Sequence, residues 1–358
     1  MPVDPWSRLD KGSNALSKDQ NCACGRLSFP VSFAKQRYST DISRPVDHPL
    51  GSGMPNEVIT INGLVKEYGP LRAVNGISFS VNRGEIFSLL GPNGAGKTTT
   101  VEIIEGLRSA TSGTVSVMGL DPMKDRQELL RKVGIMPQDF DFIDLITPLE
   151  AVNFYLSSMG SKTDPGEILD AVELSDKKDS LFNTLSGGQK QKLGIAIALC
   201  NDPEILFLDE PTAGLDPVSR RNVWTVIEKM RKSGKTVFLT THYLEEAEKL
   251  ADRVAIVHNG AILDMGSPAE LVDRHGSGSV MSITASGINA ADLEREGFTA
   301  SEHNGNLEVS PIKNVKDFFR AVEYLKSRNT DVKTLNLKKE SLEDVFIKMV
   351  GKEAEDES

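Results

Sequence analysis

Short apolar runs, set between glycine-rich and polar turns, organise the middle of the chain. Ile86-Phe87-Ser88-Leu89-Leu90, Ile205-Leu206-Phe207-Leu208 and Val237-Phe238-Leu239-Thr240 are too brief for buried helices. They read as strands covered on both faces, the type found in parallel sheets. Val58-Ile59-Thr60-Ile61 and Ile77-Ser78-Phe79-Ser80-Val81 alternate as half-buried strands do, and predict an antiparallel layer ahead of the first run. Val254 to Leu263 reads as a hairpin turned at Asn259-Gly260. Thr147-Pro148-Leu149-Glu150 is a helix start, with Thr as cap, Pro in the first turn and Glu three residues on; helix is expected from there to about Lys178. Leu244 to Leu250 reads as a short helix.

After about Gly276 the pattern restarts. Val280–Thr284 and Leu307–Val309 are candidate strands, and Val332, Leu335 and Leu337 mark another. Asn314 caps a predicted helix with Val315, Phe318, Phe319, Val322 and Leu325 on one face. Ser341 caps a final helix carrying Leu342, Val345, Phe346 and Met349, with its stop expected at Gly351. These stripes read as the core of a small α+β domain. The expected organisation is an N-terminal extension over 1–55 without periodicity, a main α/β domain over 56–275, the small domain over 276–351 and a frayed acidic end over 352–358. Gly51-Ser52-Gly53-Met54 resembles a linker and a start. Cys22-Ala23-Cys24 lacks the further ligands that a tetrahedral metal site needs.

Composition narrows the class. The 358 residues are 39% hydrophobic and 26% charged, ordinary for a globular protein of two domains. No run of about 18 apolar residues encodes a membrane span, and the start lacks the signature of a secretory signal. A net charge of −10 argues against a nucleic-acid partner, whose phosphates call for Lys and Arg. Three cysteines without a paired framework fit a reducing compartment.

The chemistry begins at Gly91-Pro92-Asn93-Gly94-Ala95-Gly96-Lys97-Thr98-Thr99. The stretch follows a predicted strand and precedes Thr100-Val101-Glu102-Ile103-Ile104-Glu105, read as a helix. Strand, glycine-rich loop and helix make a phosphate site: the loop turns several N–H groups toward one point and the helix adds its positive dipole end. Lys97 is placed for the β/γ-phosphates and Thr98 for Mg²⁺. Asp209-Glu210 closes the run Ile205–Leu208, so both carboxylates lie beyond the carboxyl end of a strand, where doubly wound sheets bind ligands. Asp209 suits the Mg²⁺ shell and Glu210 suits polarisation of an attacking water. In Leu185-Ser186-Gly187-Gly188-Gln189, Ser186 can cap a helix running from about Gln189 through Leu193, Ile197 and Leu199; the glycines leave N–H groups for an anion. One γ-phosphate does not easily use two such helix ends from one chain, which points to a site shared between two copies.

These motifs and their order resemble the ATP-binding subunit of an ABC transporter over about Val58 to Gly266. Gly91–Thr98 resembles its Walker A loop, Ile205–Glu210 its Walker B and Leu185–Gln189 its signature motif. The resemblance implies a P-loop NTPase core, α/β with a mixed and mainly parallel sheet, an antiparallel β layer and a helical subdomain, followed here by the small α+β domain. It implies that Tyr68 stacks on adenine and that Gln138 reaches Mg²⁺ and the water. It also implies that Gly214-Leu215-Asp216 forms the D-loop at the dimer seam and that His242 is a switch contacting the γ-phosphate. Taken alone, Tyr68 reads better as a strand-end aromatic, Gln138 as a loop polar group and His242 as a capping residue. Gly234-Lys235-Thr236 mimics part of a phosphate loop without its upstream glycines and is set aside.

The expected function is an ATPase subunit, using ATP and Mg²⁺, that powers a membrane transporter. Its expected partners are a second copy or a related ATPase subunit and a separate transmembrane permease, docked on the helical region between Gln138 and Ser186 at the cytoplasmic face of the membrane. Thr241-His242-Tyr243-Leu244-Glu245-Glu246-Ala247-Glu248 and Ser341-Leu342-Glu343-Asp344-Val345-Phe346 resemble ABC-2, drug-resistance type exporter ATPases. The alternative is a soluble ABC-type mechanical ATPase; those usually carry two cassettes or a long coiled coil, whereas the phosphate-loop motif occurs once here and no long heptad run is visible.

Overall fold

The computed structural model describes residues 56–356 except 139, 277, 304, 305, 313 and 329, and from 351 onward it describes backbone alone. The expectations for residues 1–55, including Cys22-Ala23-Cys24, lie outside the described residues. In chain order the first elements are β1 (Glu57–Tyr68), β2 (Leu71–Asn82), β3 (Ile86–Leu90), α1 (Lys97–Ile104), β4 (Ser112–Val117), α2 (Arg126–Leu129) and β5 (Val133–Met136). Then come α3 (Pro148–Ser158), α4 (Pro165–Ala171), α5 (Gly187–Leu199), β6 (Ile205–Asp209), α6 (Pro217–Lys232), β7 (Thr236–Thr241), α7 (Leu244–Leu250), β8 (Arg253–His258), β9 (Ala261–Gly266) and α8 (Pro268–His275). The rest is β10 (Ser279–Ser286), α9 (Ala290–Glu294), β11 (Thr299–His303), β12 (Asn306–Ile312), α10 (Val315–Ser327), β13 (Asp331–Lys338) and α11 (Leu342–Asp356).

A six-stranded sheet of order β5-β6-β7-β3-β8-β9 forms the centre. Five strands run parallel, and β9 returns antiparallel through the Asn259-Gly260 turn, where both residues have positive φ (46° and 77°), as a type I′ hairpin requires. Every residue of β3, β6 and β7 is buried, which is why their sequences lack alternation. On one face lie α1 and the antiparallel sheet β2-β1-β4. Phe79 of that layer stacks on Phe87 of β3 at 5.0 Å, and Phe87 on Phe238 of β7 at 5.6 Å, so aromatic rings join the two sheets. The opposite face is covered by α5 and α6, with α3 and α4 extending that cluster into a helical subdomain. Thr147 and Glu150 form the reciprocal capping box that starts α3. The P-loop type α/β architecture expected above is therefore the one observed.

A second sheet, antiparallel with order β11-β12-β10-β13, carries α9 and α10 in the split β-α-β-β-α-β arrangement. Its core joins Met281, Ile283, Phe298, Val309, Ala321 and Leu325. The predicted face of α10 is only partly right. Leu325 is buried, but Val315 and Phe319 are exposed (68% and 55%), because the helix sets its Phe318–Ala321–Leu325 row on the sheet. The final helix corrects the sequence reading twice. It runs through Gly351 to Asp356. Its apolar stripe also leaves the second sheet: Leu342, Phe346 and Met349 pack with Ala247 of α7, Ile256 of β8 and Leu271 of α8. Not expected from the sequence are β4, α2, β5, α6, α8, α9 and β11; β4 is half exposed, and α2 and β5 span four residues each, too short for a period to show.

At the end of α1, Glu105 is 4% exposed, and burial, with the charges of Asp209 and Glu102 adding to it, pushes its carboxyl up to about 8. The unfolded chain releases this proton near 4.5, so between pH 4.5 and about 8 folding takes up a proton. Stability conferred at low pH is lost as pH rises through that window. Thermal melts of Glu105→Gln should show a flatter pH dependence between pH 5 and 8 than the parent, and a higher midpoint at pH 8; parallel curves would contradict this.

Candidate ATP site

Parallel strands end at a common edge, and four of them end here in functional chemistry. β3 leads into Gly91, β5 into Pro137 and Gln138, β6 into Glu210 and β7 into His242. The register Asp209↔Thr240 and Leu90↔Thr241 brings the ends of β6, β7 and β3 level.

The loop from Gly91 to Gly96 is pressed against its surroundings. A Cβ on Gly91 would stand 2.3 Å from the Val257 carbonyl oxygen, and one on Gly96 2.3 Å from that of Ala73. Gly96 also has φ 95° and, as N-cap of α1, offers no side chain to the first-turn N–H groups. Such a loop suits a phosphate cradle. Pro92, Asn93, Gly94 and Ala95 form its body, with Ala95 buried and Asn93 exposed. Lys97 is 4% exposed, and its ammonium donates to the carbonyls of Gly91 (2.9 Å) and Pro92 (3.1 Å). Thr98 and Thr99 continue the first turn of α1.

Glu210 is the centre of the cluster. Its Oε1 lies 3.3 Å from Lys97 Nζ. Its Oε2 accepts from Gln138 Nε2 at 3.3 Å and meets His242 Nδ1 at 3.0 Å. The carboxylate is 6% exposed, so its desolvation is offset by the buried ammonium. Glu210 also has φ 49°, a left-handed conformation uncommon outside glycine, which turns the chain sharply at the end of β6. Thr240 hydroxyl accepts from the Glu210 N–H at 3.0 Å and donates to Asp209, tying the two acids to β7. Asp209 is held above the usual carboxylate range by burial, against hydrogen bonds from Thr240 and Thr98. One carboxylate and one hydroxyl, both hard oxygens side by side, fit Mg²⁺ completed by phosphate and water oxygens. Among the described residues no cluster of three or more acidic, His or Cys side chains offers a metal site built wholly from protein.

Ser186 to Gln189 stand apart from this cluster. Ser186 Oγ accepts from Gln189 N at 3.3 Å while Gln189 Oε1 accepts from Ser186 N at 2.9 Å, a reciprocal cap on α5. The N–H groups of Gly187 and Gly188 lie in the first turn, where no intrahelical acceptor exists. The two glycines pack against Leu215 and Ser219. Asp216 caps α6 through Val218 N and Ser219 N. Among the described residues no hydrogen bond or ion pair joins Ser186–Gln189 to Lys97, Glu210 or His242. Tyr68 ends β1, 38% exposed, with Lys66 and Arg108 over its ring at 5.2 and 5.4 Å. Lys235, by contrast, donates to Asp202 and Pro203, far in sequence from any cradle.

Sequence reasoning missed Thr240, one of three threonines in the fully buried strand β7, and the buried Glu246, masked by the two other acids, Glu245 and Glu248, beside it.

The family model described as "ABC transporter" matches residues 74–213. The chain is 32% identical to the linearmycin resistance ATP-binding protein LnrL of Bacillus subtilis, over 84% of this chain and 100% of that protein. It is 33% identical to the daunorubicin/doxorubicin resistance ATP-binding protein DrrA of Streptomyces peucetius (85% and 96%). It is 36% identical to the Nod factor export ATP-binding protein I of Burkholderia lata (85% and 100%). Among solved structures it resembles a dimeric ATP-binding cassette in a post-hydrolysis state bound to ADP and Pi, with TM-score 0.53 and 29% identity over 58% of this chain and 98% of that one. Phosphate-loop geometry, carboxylates at the strand ends and these relatives agree: the chain belongs to the ABC transporter family, as an ATP-binding and ATP-hydrolysing subunit of the exporter type.

Proposed function

We propose that two subunits of this kind clamp two ATP molecules head to tail, and that hydrolysis lets them part, driving an exporter. The separation of Ser186–Gln189 from the Lys97–Glu210–His242 cluster carries this reading. Both elements present N–H groups or cations to an anion, yet they do not meet within one chain; a second copy, turned about, supplies the missing half. The dimeric state of the related cassette bound to ADP and Pi is consistent with it.

Within each site Lys97 exchanges its loop carbonyls for the β/γ-phosphates, and the Gly91–Thr99 N–H groups take the remaining phosphate oxygens. Thr98, Asp209 and Gln138 would hold Mg²⁺, which would supply Lewis-acid neutralisation of phosphate charge. Glu210 orients the attacking water and accepts its proton; His242, 3.0 Å away, steadies that carboxylate and reaches the γ-phosphate. Tyr68 offers its ring to adenine. Ser186 Oγ, as an acceptor in its own cap, keeps its hydrogen for the partner's phosphate.

Among the described residues no helix is long and apolar enough to cross a membrane; in this reading a separate permease supplies the channel. Ile143, Leu145 and Phe154 are exposed (70%, 70% and 63%) between Gln138 and Ser186, and form an apolar seat for it. The subunit then works at the cytoplasmic face, attached through that permease. Cargo choice lies with the permease; the drug-resistance and Nod factor relatives favour outward transport.

Two measurements test the reading. Glu210→Gln should lower ATP hydrolysis at least about a hundredfold while retaining ATP affinity, and should accumulate as an ATP-bound dimer in size-exclusion chromatography. Near-normal hydrolysis, or a monomer with ATP and Mg²⁺ both in solution and in the permease complex, would defeat it. Lys97→Ala should weaken ATP binding by about tenfold to a hundredfold in a fluorescent-nucleotide titration; unchanged affinity would remove Lys97 from the cradle.

A further inference from the structure

Behind the Glu210–His242 pair lies a second buried carboxylate that takes no part in the chemistry proposed above. Glu246, on α7, is fully buried. Its Oε1 accepts from Thr212 Oγ1 at 2.7 Å and from Trp224 Nε1 at 2.9 Å. These donors come from two other elements. Thr212 lies two residues beyond Glu210, and its carbonyl accepts from Leu215 N at 3.2 Å, so it opens the turn that carries Leu215 and Asp216. Trp224 is in the middle of α6. Glu246 itself lies four residues beyond His242 and donates its N–H to the Tyr243 carbonyl at 3.1 Å.

The same cluster holds the His242 side. Tyr243 sits with its ring centroid 4.1 Å from that of His242. Arg220 of α6 lies over the other partner, with its guanidinium 3.9 Å from the Tyr243 ring, and its Nη2 donates to the Leu215 carbonyl at 3.5 Å. Thr241 hydroxyl accepts from Tyr243 N at 2.9 Å. Thus the loop after β6 and the loop after β7 are tied together at two levels. Thr240 bridges them at the strand ends, and Glu246 bridges them one layer further back.

A carboxylate in this position is costly. A leucine would fill the same space without desolvating a charge, and Thr212 and Trp224 could be replaced by Val and Phe at similar volume. We infer that Glu246 is a positioning residue: through Oε1 it clamps the Glu210 loop to the His242 loop, and so sets the distance across the hydrolytic pair. This inference rests on the proposed roles of Glu210 and His242 and extends them to the group that holds them in register. The mechanism is geometric: hydrolysis depends on Glu210 Oε2 and His242 Nδ1 meeting at the same water and phosphate, and a shift of one loop by an ångström separates them. ATP binding, which depends on the Gly91–Thr99 loop across the sheet, does not require the clamp.

The test is steady-state ATPase kinetics on the full chain, with thermal midpoints measured alongside and all assays run well below the lowest midpoint. Thr212→Val and Glu246→Ala should each lower kcat about tenfold or more with KM within about twofold of the parent. Glu246→Gln, whose amide oxygen still accepts both bonds, should recover most of that loss. Glu210→Gln serves as the reference for the underlying reading. If it hydrolyses ATP normally, the hydrolytic pair itself is misassigned; if it is inactive while Thr212→Val and Glu246→Ala keep their kcat, the pair stands and the clamp is overturned. Should Glu246→Ala fail to fold, Thr212→Val, which changes a hydroxyl to a methyl, decides alone. A rise in KM at constant kcat, or Glu246→Gln as slow as Glu246→Ala, also overturns the clamp.

Discussion

The parallel ladder between β6, β7 and β3 is the constraint on which the rest depends. Asp209↔Thr240 and Leu90↔Thr241 are paired residues, so three strands finish at one level and their loops emerge together. A slip of two residues in this ladder would displace a loop by about 7 Å, enough to part every polar contact at the edge. Complete burial of the strands on both faces is what prevents the slip, since each position is matched to neighbours in two packed layers. The apolar core and the ATP site are therefore one design: Phe79, Phe87 and Phe238 hold the sheets that hold Lys97, Glu210 and His242.

That edge concentrates features a protein selected for stability alone would avoid. Lys97 and Glu210 are both nearly buried, and each is tolerable because of the other. Glu210 adopts a left-handed backbone. Asp209 at the edge, and Glu246 one layer behind it, are held above the usual carboxylate range by burial. The cost is carried by the clusters above and below the sheet, and it leaves charges poised where a triphosphate would enter. Few of them need to be made on binding, because the folded chain already holds them in place.

In the proposed dimer, this edge and the Ser186–Gln189 cap of one chain serve as halves of two different sites. The helical subdomain carries the cap outward on α5, and the cap's glycines rest on the Leu215–Ser219 turn that starts α6. The turn is in turn fixed to Thr212 and, through it, to α7. The final helix joins the same region, because Leu342, Phe346 and Met349 pack beside Ala247 of α7. The second sheet is thus anchored to the element that follows His242.

Much of this was written in local sequence. The glycine loop, the acids closing an apolar run and the Ser186-x-x-Gln189 cap are contiguous motifs, and contiguous motifs declare their own backbone geometry. So do strand-like runs, the Asn259-Gly260 turn and the Thr147 and Asn314 caps, since period and capping are short-range properties. Three matters lay beyond it. The bonds from Gln138, His242 and Lys97 to Glu210 join residues up to 113 positions apart, and only strand order brings them together. Thr240 and Glu246 are ordinary in sequence and gain their meaning from what is buried beside them. The last helix shows the same rule in packing: its stripe announced a buried face, but an apolar face is equally satisfied by any complementary surface, and only the folded chain chose α7 and α8.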